Sequence, residues 1–131
     1  MKKTYKTEID ENILELLKET EIEIRVADSL KDANINWLDD KANEHLALYT
    51  NGIIFVKSQS EYNYDELNLI VLHEVGHAFI QHHQMRGFNI DKKTEEISAN
   101  CIAFTLANLI GIEVNDFMIG QFNKYNDLIF D

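Results

Sequence analysis

The sequence has 131 residues, of which 45% are hydrophobic, and this suffices for one hydrophobic core; we predict a single domain spanning residues 1–131. The charged fraction of 27% is ordinary for a globular protein and argues against wholesale disorder. The net charge of −11 argues against direct binding to nucleic acid, because an acidic surface repels phosphate and no Lys/Arg cluster offsets it.

The first half of the chain predicts a helix, a strand and a hairpin. Apolar residues at helical spacing indicate an amphipathic helix over residues 8–19, and alternating apolar and polar residues indicate a strand over 22–28. Residues 29–44 are predicted as a short helix or a loop. The dipeptide Asn51-Gly52 separates two β-prone runs, and it predicts a tight hairpin because both residues tolerate positive φ.

The second half of the chain predicts helices. The first runs from about Asn63 to Gln84, with Glu66 as the capping-box partner of Asn63. A second long helix is predicted over residues 92–110, and a final shorter one over 115–129. Together with the strands, these helices predict an α+β fold with a small twisted sheet and several packed helices.

The segment LIVLHEVGHAFIQHH, residues 69–83, contains four of the five histidines of the chain. Within it, His73, Glu74 and His77 form the pattern H-E-x-x-H. Residues four apart share one face of a helix, so both imidazoles can bind a single metal ion. Glu74 can then reach a water on that ion without being a ligand itself. This pattern is typical of zinc-assisted hydrolysis with a carboxylate as general base.

A solvated helix with spare histidines is the alternative interpretation of this motif. Two features argue against it. The motif lies in an apolar segment, where an unpaired imidazole or carboxylate is costly to bury. Gly76, between the histidines, weakens a helix by about 1 kcal/mol relative to alanine. Its presence predicts that the backbone of another element approaches closely at this point.

Two histidines leave a tetrahedral zinc site incomplete, so a third protein ligand is expected from another element, with the fourth position left for water. The second long helix offers Glu95 and Glu96. We favour Glu96, because Asn100 lies one turn beyond it and could hold a ligating histidine through its other ring nitrogen. Glu95 is expected to be solvated or at the rim. The alternative for Glu96 is an ordinary first-turn carboxylate favoured by the helix dipole.

The segments HEVGH and EISANCIAFTLA together resemble the ImmA/IrrE family of zinc metallopeptidases, whose members show a HExxH helix followed by E-x-x-A-N-x-x-A. The resemblance covers about residues 46–108, including the upstream segment NGIIFVKS. It implies that His73, His77 and Glu96 bind one zinc ion and that Glu74 is the catalytic base. The remainder of the second motif is matched by Ala99, Asn100 and Ala103. The sequence departs from many relatives in that TLANLIG continues without a Leu-Met-Pro-like ending.

The family resemblance also implies a zincin-like fold, a gluzincin-like peptidase activity and a gene carried on a phage or mobile element. The expected substrate is a protein, namely a helix-turn-helix transcriptional repressor that is reached by protein contact. Two alternatives remain open. One is a metal-containing anti-repressor that binds its partner without cutting it, and the other is a toxin or antidefence module that acts on a host protein. Manganese or iron could also occupy a His₂Glu site, although zinc suits it best.

Several other residues are given structural interpretations. His82 and His83 are expected at a solvated helix end, and His45 is expected to be structural or exposed. Cys101 is predicted to pack as a small buried residue, and its alternative role is a thiolate ligand that competes with Glu96.

Residues 53–57 are the candidate strand for pairing with an extended substrate. Tyr62 and Tyr64 are interpreted as core or surface residues without an assigned role.

The location of the protein is predicted from what the sequence lacks. The single cysteine, Cys101, allows no intramolecular disulfide, and no segment approaches the length of a membrane span. The N-terminal MKK is followed by polar residues, unlike a signal peptide. We therefore expect a cytoplasmic protein without membrane contact.

Overall fold

The structure is a computed structural model that describes residues 3–28, 46–82, 91–116 and 118–120. It is an α+β arrangement of short strands and helices. In chain order the elements are β1 (Tyr5–Lys6), α1 (Glu11–Leu17), β2 (Glu23–Ala27), β3 (Ala47–Thr50), β4 (Ile53–Lys57), β5 (Gln59–Ser60), α2 (Tyr64–His82) and α3 (Lys92–Ile110).

Some predictions fall on residues that the structure does not describe. The short helix or loop over 29–44, the two histidines His45 and His83, and most of the predicted helix over 115–129 lie outside the described residues. Of that last helix, residues 116 and 118–120 are helical.

The main sheet has three strands in the order β2-β4-β3. β4 pairs in parallel with β2 and antiparallel with β3. The predicted hairpin is confirmed: Asn51 and Gly52 join β3 to β4 with φ values of 48° and 85°, the positive values that a two-residue turn of this kind requires. The predicted strand over 22–28 is confirmed as β2, and β1 pairs with β5 in a separate two-stranded ladder.

The predicted first helix is shorter than residues 8–19, because the chain before it is extended and bound to α2. Asn68 of α2 is fully buried; its side chain accepts a hydrogen bond from the Asp10 amide (2.8 Å) and donates to the Glu8 carbonyl (3.0 Å). Asp10 then caps α1 by accepting from the Asn12 amide. Because residues 8–10 are bound to α2 in this way, α1 begins only at Glu11.

The two long helices form as predicted. The capping box of α2 is confirmed, since the Glu66 amide donates to Asn63 Oδ1 (3.0 Å) and the Asn63 amide donates to Glu66 Oε1 (3.3 Å). α3 spans Lys92–Ile110 and ends at Gly111, whose φ is 83°. A glycine in this conformation is a common helix stop.

α2 is the central element of the fold, because it packs against β3 and β4 and also against α3. Its apolar positions form the middle of the core. The buried residues of the core include Ile13, Ile54, Val56, Leu67, Leu69, Val71, Leu72, Val75, Ala78, Ala103 and Ala107. The central position of α2 explains why its apolar residues occur on more than one side, and it places the histidine motif in the interior. In the part of the chain that the structure describes, no helix has the length and apolar character to cross a membrane.

Candidate metal centre

The two histidines of the HExxH motif lie side by side on α2. Their Nε2 atoms are 3.1 Å apart. The rings meet edge to face, with centroids 4.7 Å apart and an interplanar angle of 85°. Both side chains are largely buried: His73 is 13% exposed and His77 is 9% exposed. The helical spacing of four residues thus brings two imidazole nitrogens to one point, as the sequence predicted.

Glu96 reaches the same point from α3. Its Oε2 lies 3.1 Å from His73 Nε2, and its Oε1 lies 3.3 Å from His77 Nε2. The Glu96 side chain is 14% exposed. The structure therefore places the three predicted ligands together, and the arrangement is the one expected of two neighbouring helices that share a site.

The spacing of these donor atoms fits a zinc ion. In a tetrahedral site with bonds of 2.0–2.1 Å, neighbouring ligand atoms are separated by about 3.3 Å. The separations between His73 Nε2, His77 Nε2 and the Glu96 carboxylate are 3.1, 3.1 and 3.3 Å. Two neutral nitrogens and one carboxylate are also a ligand set that suits divalent zinc.

The packing of α2 against α3 is unusually close at Gly76. A Cβ atom on this residue would lie 2.7 Å from the carbonyl oxygen of Ala99 and 2.8 Å from its Cα atom. The predicted close approach of another backbone is confirmed. Since Ala99 follows Glu96 by one turn of α3, the absence of a side chain at Gly76 allows the Glu96 carboxylate to reach the histidines.

Glu74 lies beside the candidate centre and is held by the sheet. The ligand atoms of His73, Glu74 and His77 all lie within 4.8 Å of one another, so Glu74 is itself within reach of a metal. Glu96 fits the third position better, because it contacts both Nε2 atoms directly. Glu74 Oε2 instead accepts a hydrogen bond from the backbone amide of Tyr49 in β3 (3.0 Å). This contact attaches the predicted base to the sheet.

The site shifts the pKa values of its acidic groups in opposite directions. Burial raises the pKa of Glu74 above its ordinary value, and the charges of His73 and His77 oppose this rise only in part. Burial also acts to raise the pKa of Glu96, but hydrogen bonds with His73 and His77 outweigh it and lower that pKa to about 2. Glu96 is thus held as an anion at neutral pH, whereas burial gives the Glu74 carboxylate a higher proton affinity.

The pKa of His77 is raised to about 9. Burial alone would lower it, but the hydrogen bond with Glu96 and the charges of Glu74, Glu96 and Glu95 outweigh that effect. Three carboxylates around one imidazole stabilise its protonated form. In the metal-free protein a proton therefore provides the positive charge between these carboxylates.

Glu95 was expected to be solvated or at the rim, and its side chain, 23% exposed, lies at the rim of the site. The sequence did not predict its contact with His77, in which Glu95 Oε2 lies 2.9 Å from His77 Nδ1. The position of Glu95 directly before Glu96 could have indicated this contact, because consecutive residues on a helix diverge by about 100° and can reach two edges of one ring.

Asn100 is buried, with 1% exposure, one turn beyond Glu96. Its support of a ligating histidine stays a prediction.

The prediction for Cys101 is wrong, because this residue is exposed. The buried face of α3 is formed by Ala99, Asn100, Ala103 and Ala107. Cys101 follows Asn100 by a further 100° and leaves that face. Its exposure also argues against the alternative in which its thiolate competes with Glu96 for the metal.

The prediction that residues 53–57 form the strand that pairs with an extended substrate is wrong as well. These residues form β4, which is paired on one side with β2 and on the other with β3. A strand with partners on both sides has no free edge for a third. The sequence could not order the strands, because pairing between β2 and β4 joins distant parts of the chain.

The tyrosines before α2 have structural contacts. The Tyr64 hydroxyl donates to Asp10 Oδ2 (2.5 Å), and Tyr62 packs partly buried against the core. Both observations agree with the interpretation of these residues as core or surface groups.

Compared with known proteins, the chain matches no family model, no curated protein and no solved structure. The family resemblance therefore depends on the two sequence motifs alone and stays a prediction.

Proposed function

We propose that this protein is a zinc-dependent endopeptidase of the ImmA/IrrE type with a zincin-like fold, in which His73, His77 and Glu96 bind one zinc ion. The observation that supports it most directly is the close approach of the two Nε2 atoms, 3.1 Å apart, each of which also lies 3.1–3.3 Å from one oxygen of the Glu96 carboxylate. Glutamate as the third ligand corresponds to a gluzincin-like centre. Chance clustering is a poor account of this spacing, because the motif residues come from two helices and meet with zinc-like separations.

Glu74 is the residue that we assign to proton transfer. A bound zinc ion supplies Lewis acidity, which polarises a carbonyl and lowers the pKa of water to about 7. Since Glu74 Oε2 is occupied by the Tyr49 amide, we assign Oε1 as the atom that accepts the proton of the attacking water and passes it to the leaving amine. The raised pKa of Glu74 favours the first of these steps, because it makes the carboxylate a stronger base.

The proposed substrate is a DNA-binding protein, namely a helix-turn-helix repressor of a phage or mobile element. The family resemblance suggests this class, and the charge of the protein agrees with it. A net charge of −11 attracts basic proteins and repels nucleic acid, so recognition is expected through protein contact. Such a substrate places the proposed activity in the cytoplasm.

Metal content and proteolysis test the proposal together. The purified protein is expected to contain one zinc ion per chain by elemental analysis, and His73→Ala is expected to lose it. Wild type and Glu74→Gln are then incubated with helix-turn-helix proteins encoded beside it, and fragments are identified by mass spectrometry. The expected result is cleavage by wild type and none by Glu74→Gln, with zinc retained in both.

Two other results would contradict the proposal in different ways. Equal cleavage by Glu74→Gln would remove Glu74 as the base. Full derepression by Glu74→Gln in cells, with zinc retained and the repressor intact, would favour the anti-repressor that binds without cutting. Cleavage of a host protein in place of the repressor would favour the toxin or antidefence alternative.

A further inference from the structure

His77 is contacted at both of its ring nitrogens by consecutive residues of α3. Its Nε2 lies 3.3 Å from Glu96 Oε1, on the side of the candidate metal centre. Its Nδ1 lies 2.9 Å from Glu95 Oε2, on the other edge of the ring. Nε2, which would bind the metal, is thus paired with Glu96, and Nδ1, which would not, is paired with Glu95.

Building on the proposed zinc centre, we propose that Glu95 is a positioning residue that holds His77 in the tautomer with its proton on Nδ1. A carboxylate can only accept a hydrogen bond, so the nitrogen that faces Glu95 must carry a proton. A neutral imidazole has a single N–H group. In the metal-free protein Nε2 also faces a carboxylate, that of Glu96. A zinc ion would take the place of the proton on Nε2, and the neutral ring would then keep its proton on Nδ1 and direct the Nε2 lone pair to the metal.

The position of Glu95 suits this role. Its side chain is 23% exposed, whereas that of His77 is 9% exposed, so the contact lies at the boundary between the site and solvent. Since Glu95 and Glu96 belong to the same helix, one rigid element supplies both a metal ligand and the residue that orients a second ligand. The loss of such an orienting partner typically reduces metal affinity by roughly 10- to 100-fold.

A purely structural role is the alternative that the experiment must separate. Glu95 lies in the first turn of α3, where any acidic residue stabilises a helix through its dipole. That role predicts a change in the stability of the metal-free protein and no change in zinc affinity or in the N–H signal of His77 Nδ1.

The first measurement is zinc affinity, determined by competition with a chromophoric chelator. Glu95→Ala is expected to bind zinc roughly 10- to 100-fold more weakly than wild type. Glu95→Gln is expected to recover most of the affinity, because its amide oxygen still accepts a hydrogen bond from Nδ1. Asp65→Ala, which removes a first-turn acid of α2, is the matched control and is expected to bind as wild type does. Circular dichroism of each metal-free variant verifies the fold.

The second measurement is the hydrogen bond at His77 Nδ1, read from the proton and nitrogen NMR shifts of this N–H group in the zinc-loaded protein. Wild type and Glu95→Gln are expected to show a hydrogen-bonded N–H group, and Glu95→Ala is expected to lose that hydrogen bond. Wild-type affinity together with an unchanged N–H signal in Glu95→Ala would overturn the inference, as would equal losses of affinity in Glu95→Ala and Glu95→Gln. A wild-type protein that binds no zinc would instead refute the proposed function, and this inference with it.

Discussion

The carbonyl oxygen of Ala99 lies only 2.7 Å from the position that a Cβ atom on Gly76 would occupy if this glycine were an alanine. Backbone contact between α2 and α3 at this point sets the distance from Glu96 to the two histidines. The candidate metal centre therefore depends on a residue that has no side chain and offers no ligand.

Gly76→Ala tests this dependence. From helix propensity alone the substitution would stabilise α2 by about 1 kcal/mol. Because the added methyl group would meet backbone atoms of Ala99, we expect the opposite sign, a loss of about 1–3 kcal/mol from overpacking, together with weaker zinc binding. Denaturant unfolding and metal titration measure the two effects. The control is Gly120→Ala, where an added Cβ meets nothing within 4 Å. Increased stability of Gly76→Ala would contradict the packing argument.

Zinc should raise the unfolding temperature of the wild-type protein. A ligand that binds only the folded state adds about 2.7 kcal/mol of stability at a free concentration of 100 times its Kd. Differential scanning fluorimetry with zinc, followed by excess chelator, measures the gain and its reversal. Glu96→Ala and His77→Ala are expected to lose most of this gain, because each lacks one of the three donors. A full zinc-dependent shift in Glu96→Ala would mean that Glu74 or another residue completes the site.

The stability of the metal-free protein should fall as the pH rises from about 6.5 to 9. The pKa of His77 is raised from an ordinary value of 6.5 to about 9 in the folded protein. Its protonated form therefore contributes stability that is complete below pH 6.5 and is lost as the pH passes through 9. Urea unfolding at several pH values measures how the free energy of unfolding changes with pH. His77→Ala is expected to lose the part of this pH dependence that comes from His77. Zinc should bind more tightly over the same range, since the metal competes with the proton.

Glu96 predicts a second pH dependence, with the opposite sign. Its pKa is lowered from 4.5 to about 2 in the folded protein. The stability from its ionised form is present above pH 4.5 and is lost as the pH falls through 2. Glu96→Gln should therefore reduce the acid sensitivity of the metal-free protein, as measured by unfolding at pH 2–5. An unchanged acid transition in this variant would show that Glu96 is not held as an anion by the two histidines.

Asn68→Ala should destabilise the protein although Asn68 is not part of the candidate metal centre. The substitution leaves the Asp10 amide and the Glu8 carbonyl without their side-chain partner, at a cost of about 1–3 kcal/mol for each buried group that stays unsatisfied. Asn108→Ala, at an exposed position of α3, is the control and should change the free energy of unfolding little. Equal effects of the two substitutions in urea unfolding would contradict the role of Asn68 as a tether.

What the sequence predicted correctly depends on local rules. The histidine pair follows from the helical period, the hairpin from the conformational tolerance of Asn51-Gly52, and the close helix contact from a glycine in an otherwise apolar helix. Each of these signals lies within a few residues of the chain. Glu96 could be selected because it occupies a recognisable second motif at the start of a long helix.

What the sequence did not predict depends on the orientation of distant elements. The contact between Glu95 and His77 was not predicted because the rotation of α3 against α2 was unknown, and that rotation decides whether Glu95 faces His77 or solvent. Cys101 was assigned to the core for the same reason. The central position of β4 arises from its parallel pairing with β2, which brings residue 23 beside residue 53, and no local pattern encodes such a pairing.

The hydrogen bond from Tyr49 to Glu74 has a consequence for how this region tolerates variation. Its donor is the main-chain nitrogen. Exchanging the side chain at position 49 would therefore remove the hydrogen bond that the Tyr49 hydroxyl accepts from the Gly52 amide and still leave the Glu74 carboxylate anchored. An alanine scan would therefore show no role for position 49 in the chemistry of the site. Only proline, which has no amide hydrogen, would remove the hydrogen bond to Glu74.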